Sequence, residues 1–277
     1  MLADPAPAAT PSAERATARP QKALTPQPRA GSGLPASWAP AEPPPSPWRL
    51  TVEGAAPGED LVGVGADLAP GTILEAYRSG MFPMGLGERG GPPLGWWSPD
   101  PRGVLLPGDL HVSRSLRRSL RGFEITYDTA FADVLLACAD PTRPGAWISP
   151  AVATAYLGLH ETGWAHSVEV WRQGRLAGGL YGLALGRLFA AESKFHHVTD
   201  ASKAAVVGLV AAMDADGPHA RPWLVDVQWR TEHLATLGVR EVRRTAYLEL
   251  LRTALTAEPP TRWRRGAADR GSPRGTL

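Results

Sequence analysis

Twenty-nine residues in the middle of the chain, AHSVEVWRQGRLAGGLYGLALGRLFAAES (165–193), constrain the fold more than any other stretch. Apolar, β-branched and aromatic residues dominate it, and turn signals at Gln173-Gly174 and near Gly186 divide it into three. That pattern reads as three short strands in an antiparallel meander, the last ending at Glu192. What surrounds the meander is helical. RSLRRSL after His111 reads as a basic helix, and FADVLLACAD as an apolar one. WISPAVATAYLGLHETG is a helix with Ser149 as N-cap, Pro150 at N1 and Gly163 at C′. After the meander come a helix, TDASKAAVVGLVAAM, capped by Thr199 or Asp200, and a strand, WLVDVQ. A short helix from Thr231 to Gly238 and a last helix, TAYLELLRTAL, complete the order. Helices, meander, helix, strand, helix, helix specify an α+β domain with a mostly antiparallel sheet. An acetyltransferase-like (GNAT-like) arrangement fits that order.

This domain is expected over residues 108–256. Residues 48–107 hold one helix, PGTILEAYRSG, among Gly/Pro-rich aromatic segments, MFPMGLG and LGWWSPDPRGVLLP. They are too apolar for a free linker and are expected to form a small amino-terminal domain, or a lid packed on something larger. Residues 1–47 carry twelve prolines and little apolar content besides alanine, so a solvated, disordered tail is expected. Residues 257–277, basic and proline-containing, are expected to behave likewise.

Several function classes are excluded at this level. The net charge of +2 leaves any nucleic-acid role to local patches. The single cysteine, Cys138, rules out an intrachain disulfide framework and a multi-cysteine metal site. No run approaches the roughly 20 apolar residues of a membrane span, and the amino terminus lacks an apolar signal segment. A cytoplasmic protein without a membrane partner is therefore expected. P-loop, dinucleotide-fold and nucleophile-elbow motifs are missing.

Three polar residues interrupt apolar segments. Asp226 and Gln228 are two apart on the strand WLVDVQ and are expected on one face. Glu192 closes the strand RLFAAE. Buried acids are rare unless paired or functional, so these three form a candidate catalytic cluster. The carboxylates could equally satisfy backbone amides or an arginine. Helical spacing brings Arg114, Arg117, Arg118 and Arg121 onto adjoining faces, a pattern able to neutralise phosphates. The adjacent His196 and His197 do not converge on one metal, and no metal site is expected.

Taken together, the motifs resemble the bacterial leucyl/phenylalanyl-tRNA–protein transferase family. The segments that carry the resemblance span about Val62 to Leu251. They are GADLAPGTILEAYRSGMFPM, WWSPDPRGVL, LHVSRSLRR, WISPAVATAYLGLHETGWAHSVEVW, GGLYGLALGRLFAAESKF, DASKAA, LVDVQW and HLATLG, in the family's order. The resemblance implies transfer of Leu or Phe, less well Met, from aminoacyl-tRNA to proteins beginning with Arg or Lys. The product is a degradation signal. It implies no cofactor, and a monomer is expected. The catalytic positions fall on Glu192, Asp226 and Gln228, with Asp226 orienting Gln228 and Glu192 holding the acceptor amine or its side chain. The aminoacyl pocket falls on Trp147, Tyr156, Leu180, Phe189 and Val225, joined by Tyr77 and Met84. The tRNA-facing patch falls on Arg114, Arg117 and Arg118. Lys194 departs from the family, which usually carries an apolar residue there. An acyl-CoA-dependent N-acyltransferase is the main rival, but the junction ESKFHHVTDASK lacks the glycine-rich loop of those enzymes.

Overall fold

The computed structural model of the chain describes residues 40–217 and 222–264. Two sheets organise them. A three-stranded antiparallel sheet is ordered β1-β3-β2, from β1 (Leu61–Val64), β2 (Phe82–Gly85) and β3 (Leu94–Trp97). The helix α1 (Pro70–Arg78) connects β1 to β2, with Pro70 at its start as expected.

The larger sheet has seven strands. Its members are β4 (Arg102–Leu105), β5 (Glu124–Tyr127), β6 (Ala165–Arg172), β7 (Arg175–Leu185), β8 (Leu188–His196), β9 (Leu224–Gln228) and β10 (Arg240–Val242). Their order is β10-β4-β9-β8-β7-β6-β5. Every pair is antiparallel except β8–β9, which is parallel. The mixed α+β class with a mostly antiparallel sheet is thus the one found. The meander β6–β8 turns where the sequence indicates. Gln173 and Gly174 both have positive φ, 52° and 71°, the backbone of a two-residue hairpin turn whose twist matches the strands.

Helices cover both faces of this sheet. One face carries α3 (Phe131–Cys138), α4 (Pro150–Glu161), α7 (Arg244–Leu255) and α1, around a core of Tyr77, Tyr156, Tyr181, Leu183 and Tyr247. The other carries α2 (Arg114–Leu120), α5 (Ala201–Met213) and the short α6 (Glu232–Ala235), around Leu180, Phe189, Val225, Leu209 and Met213. The helix α5 is the crossover that makes β8 and β9 parallel. It lies so close to β5 that a Cβ on Gly208 would stand 2.9 Å from Ile125. Ser149 caps α4 by accepting from the Val152 amide, and Thr231 caps α6 through the Leu234 amide, as sequence indicates.

Four expectations are revised. First, β4 lies inside the segment 48–107 yet is hydrogen-bonded between β9 and β10 of the large sheet. Second, β8 does not end at Glu192 but continues to His196, because Gly178 and Gly179 of β7 extend the pairing. Third, Asp200 occupies the N-cap of α5 with a left-handed backbone, φ 68°, and its side chain does not cap. It accepts instead from the Ser119 hydroxyl at 2.8 Å. Fourth, parts of both expected tails are packed. Within 40–47, Ser46 is buried and bonds Thr72 at 3.1 Å, and Glu42 pairs with Arg78. Within 257–264, Ala257 and Trp263 are buried. The rest of both tails, 1–39 and 265–277, lies outside the described residues. Among the described residues no helix is long and apolar enough to cross a membrane.

Candidate active site

The parallel pairing of β8 with β9 covers only Leu188–Ala190 against Leu224–Asp226. Past that point each strand carries a bulge. On β8, Ala191 faces Gly182 and Ser193 faces Tyr181, which leaves Glu192 as the extra residue. On β9, Asp226 faces Val104 and Gln228 faces Gly103, which leaves Val227 unopposed. A bulge re-aims side chains and ends pairing, and bulges recur next to active sites. Here two of them flank the place where parallel strands part, and they put Glu192 beside Gln228.

Asp226 is fully buried and fully bonded. Arg102, also fully buried, grips it with two charge-assisted bonds, Nε to Oδ1 at 2.8 Å and Nη2 to Oδ2 at 2.7 Å. The Tyr247 hydroxyl donates to Oδ2 at 2.9 Å. The backbone N–H of Gln228 donates to Oδ1 at 2.9 Å. The Arg102 guanidinium also donates to the Gly80 carbonyl at 3.2 Å and lies over the rings of Tyr247 and Phe82. Asp226 therefore has no lone pair left for proton transfer. It holds the backbone of Gln228, whose φ of 59° is uncommon for a side chain of this size.

The Gln228 amide is satisfied at both ends in one orientation. Nε2 then donates to the carbonyls of Ala191 at 2.9 Å and Val227 at 3.0 Å. Oε1 takes the position 3.4 Å from Glu192 Oε1. An amide oxygen so placed favours the neutral form of Glu192. Burial acts in the same direction: it raises the Glu192 carboxyl from 4.5 to about 8. Hydrogen bonds from Tyr77 and Tyr156 oppose the rise, and the nearby Asp226 charge adds to it. The two tyrosine hydroxyls also bond each other at 2.6 Å. A neutral acid beside an amide oxygen, close to a locked Arg–Asp pair, is a site suited to passing a proton rather than holding a metal. Among the described residues no group of three His, Cys, Asp or Glu side chains could bind a metal ion.

The sequence matches the description "Leucyl/phenylalanyl-tRNA protein transferase" over residues 104–252, and that of the same family's N-terminal domain over residues 66–100. The chain belongs to this transferase family. A leucyl/phenylalanyl-tRNA–protein transferase of Aromatoleum aromaticum is 49% identical over 210 residues, 74% of this chain and 86% of that protein. One from Stutzerimonas stutzeri is 47% identical over 211 residues, 74% of this chain and 89% of its own. One from Azoarcus is 46% identical over 209 residues, covering 73% and 86%.

In this transferase-family chain, Glu192, Asp226 and Gln228 do come together. The residues assigned to the aminoacyl pocket do not form one group. Tyr77, Met84 and Tyr156, with Trp147 packed against them, lie on the α1/α4/α7 side of the sheet. Leu180, Phe189 and Val225 lie on the opposite side, beneath α5. Alternation along β7, β8 and β9 forces this split. Lys194 stands opposite Leu180 in the β7–β8 ladder and is half-buried. Arg114, Arg117 and Arg118 are exposed on α2. Arg118 borders a surface cavity of about 330 Å³ whose other walls include Phe123, Arg172 and Thr199. Sequence reasoning missed Arg102 and Tyr247. Arg102 carried a usable signal, a charge at the head of the apolar strand RGVL, of the same kind that exposed Asp226. Tyr247 carried none, since a tyrosine on an amphipathic helix reads as core.

Proposed function

We propose that this chain transfers a leucyl or phenylalanyl group, and methionyl less well, from aminoacyl-tRNA to the amino terminus of a protein. The acceptors begin with Arg or Lys, and the product is a degradation signal. The enzyme acts as a monomer in the cytoplasm, where charged tRNA is found, and needs no cofactor. The observation that carries this reading is the buried Glu192 beside Gln228 at the two bulges.

The chemistry follows from matched acidities. The acceptor nitrogen attacks the ester carbonyl carbon. A C–N amide bond forms, and the bond from that carbon to the tRNA ribose oxygen breaks. One proton passes from nitrogen to ribose oxygen. An α-amino group titrates at about 7.7–8.0, and Glu192 at about 8. Raising the carboxyl towards the amine's range favours a proton relay between the two. The ionised form of Glu192 takes the amine proton, and the neutral form returns it to the leaving oxygen. Gln228 Oε1 accepts an N–H of the amine and orients it. Because the ester is already activated, positioning supplies most of the remaining acceleration. Asp226 acts through Gln228 as a positioning residue.

Polarity divides the substrate between the faces of the sheet. Glu192, Arg102 and the tyrosine hydroxyls make one face polar, so it takes the amine, with Tyr77, Met84, Trp147 and Tyr156 framing the approach. Leu180, Phe189 and Val225 lie in a core of apolar side chains and take the aminoacyl side chain. Burial there stabilises Leu and Phe by about 25 cal/mol per Å², whereas a charged side chain would lose its hydration without a partner. Arg114, Arg117 and Arg118 meet tRNA phosphates, with Arg172 at the same cavity.

The test is transfer of radiolabelled Leu or Phe from tRNA to model proteins beginning with Arg, Lys or Ala, with acetyl-CoA as a control donor. Ribonuclease-sensitive labelling of the Arg and Lys acceptors alone is expected. No labelling by folded protein contradicts the proposal.

A further inference from the structure

Beyond α7 the chain turns back over the α5 face of the large sheet. This arm, residues 258–264, follows the stretch 104–252 that matches the family description. It is bonded to the scaffold through Thr261 and braced on itself through Arg264. The Thr261 amide and hydroxyl donate to Asp216 Oδ1 at 3.2 and 2.5 Å, and the other Asp216 oxygen accepts from Arg187. Arg264 bonds the Pro259 carbonyl at 3.1 Å and pairs with Glu258 at 3.1 Å. Between these anchors the arm pushes one side chain inward. Trp263 is 3% exposed. Its ring centroid lies 5.5 Å from that of Phe189, 4.8 Å from His166 and 5.7 Å from Tyr127. Its Nε1 donates to Met213 Sδ at 3.4 Å.

The location matters more than the burial. Phe189, Met213, Leu180 and Val225 belong to one apolar core, and Trp263 is delivered to it from outside the sheet-and-helix scaffold. We infer that Trp263 is the end wall of the aminoacyl pocket and sets the size of side chain the enzyme accepts. This rests on the reading that Leu180, Phe189 and Val225 hold the aminoacyl side chain. An apolar pocket discriminates by volume alone, since no directional bond separates one hydrocarbon side chain from another. A rigid indole at the closed end is therefore the strongest available restriction, and it weighs against the larger donor. Shortening it makes room for a ring where leucine leaves space unfilled.

The experiment measures kcat/KM for transfer from Leu-tRNA, Phe-tRNA and Trp-tRNA by the full-length protein and by Trp263→Phe and Trp263→Ala, with Tm recorded for each. The Phe/Leu ratio is expected to rise by about tenfold in Trp263→Ala, the scale on which volume selects in such pockets, and less in Trp263→Phe. Transfer from Trp-tRNA is expected to appear in Trp263→Ala. Should that variant fail to fold, Trp263→Leu and Trp263→Phe report the same ratio. Wild-type transfer with a ratio unchanged in every folded variant, both donors falling together, overturns the inference and leaves the proposed function standing. No transfer by the wild type from any of the three tRNAs overturns both.

Discussion

At the scale of single residues, Glu192 and Asp226 show how one sheet gives two acids opposite tasks. Both are buried. Asp226 receives a guanidinium, a phenol and an amide N–H, so its charge is compensated. Glu192 receives tyrosine hydroxyls but no cation, and its carboxyl is pushed up to about 8. That shift has a consequence for stability. The unfolded chain releases this proton near 4.5, and the folded chain holds it to about 8. The contribution is fully present below 4.5 and falls as pH rises towards 8. Glu192→Gln keeps a neutral group of the same shape and removes the titration. The variant should lose less Tm than the wild type between about pH 5 and about pH 8.5, and should be the more stable of the two at the upper value. An identical pH slope for both proteins would place the titration elsewhere. At this scale the sequence is informative wherever a polar residue breaks an apolar strand, which is how Glu192, Asp226 and Gln228 stand out. It does not show that Asp226 is spoken for, because its partner is 124 residues away.

At the scale of elements, two bulges and one ion pair make the site. The bulges at Glu192 and Val227 cannot be read from sequence, since each is a one-residue mismatch between strands whose register is set by the whole sheet. The hairpin at Gln173-Gly174 can be read, because its turn type needs those residues locally. The three-residue strand β10 is too short to show a period of two. The split of the pocket residues between two faces was in principle legible. Leu180, Phe189 and Val225 each alternate with a neighbour facing the other core, and the resemblance alone obscured it. The pair Arg102–Asp226 ties β4 to β9. Arg102→Met leaves a buried carboxylate without its cation and should destabilise the protein by about 3–5 kcal/mol, whereas Arg102→Met combined with Asp226→Leu should cost much less. Denaturant unfolding checks both. Equal losses in the single and double variants would mean that packing of Arg102, not the pair, is what matters.

At the scale of the whole molecule, distant segments converge where β8 and β9 part. Arg102 enters from β4, Tyr77 from α1, Tyr156 from α4 and Tyr247 from α7, while Gln228 and Glu192 lie on the parting strands. The class and most of the order were legible, because helix and strand periods are local properties. The insertion of β4 into the large sheet and the docking of residues 40–47 and 258–264 were not, since both depend on surfaces that exist only after folding. The central claim is that this convergence carries aminoacyl transfer through Gln228 and Glu192. The most direct test is single-turnover transfer from Leu-tRNA to an acceptor beginning with Arg, by the wild type and by Gln228→Ala, with Tm and tRNA binding measured alongside. The account predicts a fall of about a hundredfold or more in the transfer rate, the scale of a lost proton-relay contact, with tRNA binding unchanged and Tm lowered only by the lost bonds to the Ala191 and Val227 carbonyls. Transfer by Gln228→Ala at the wild-type rate would contradict it.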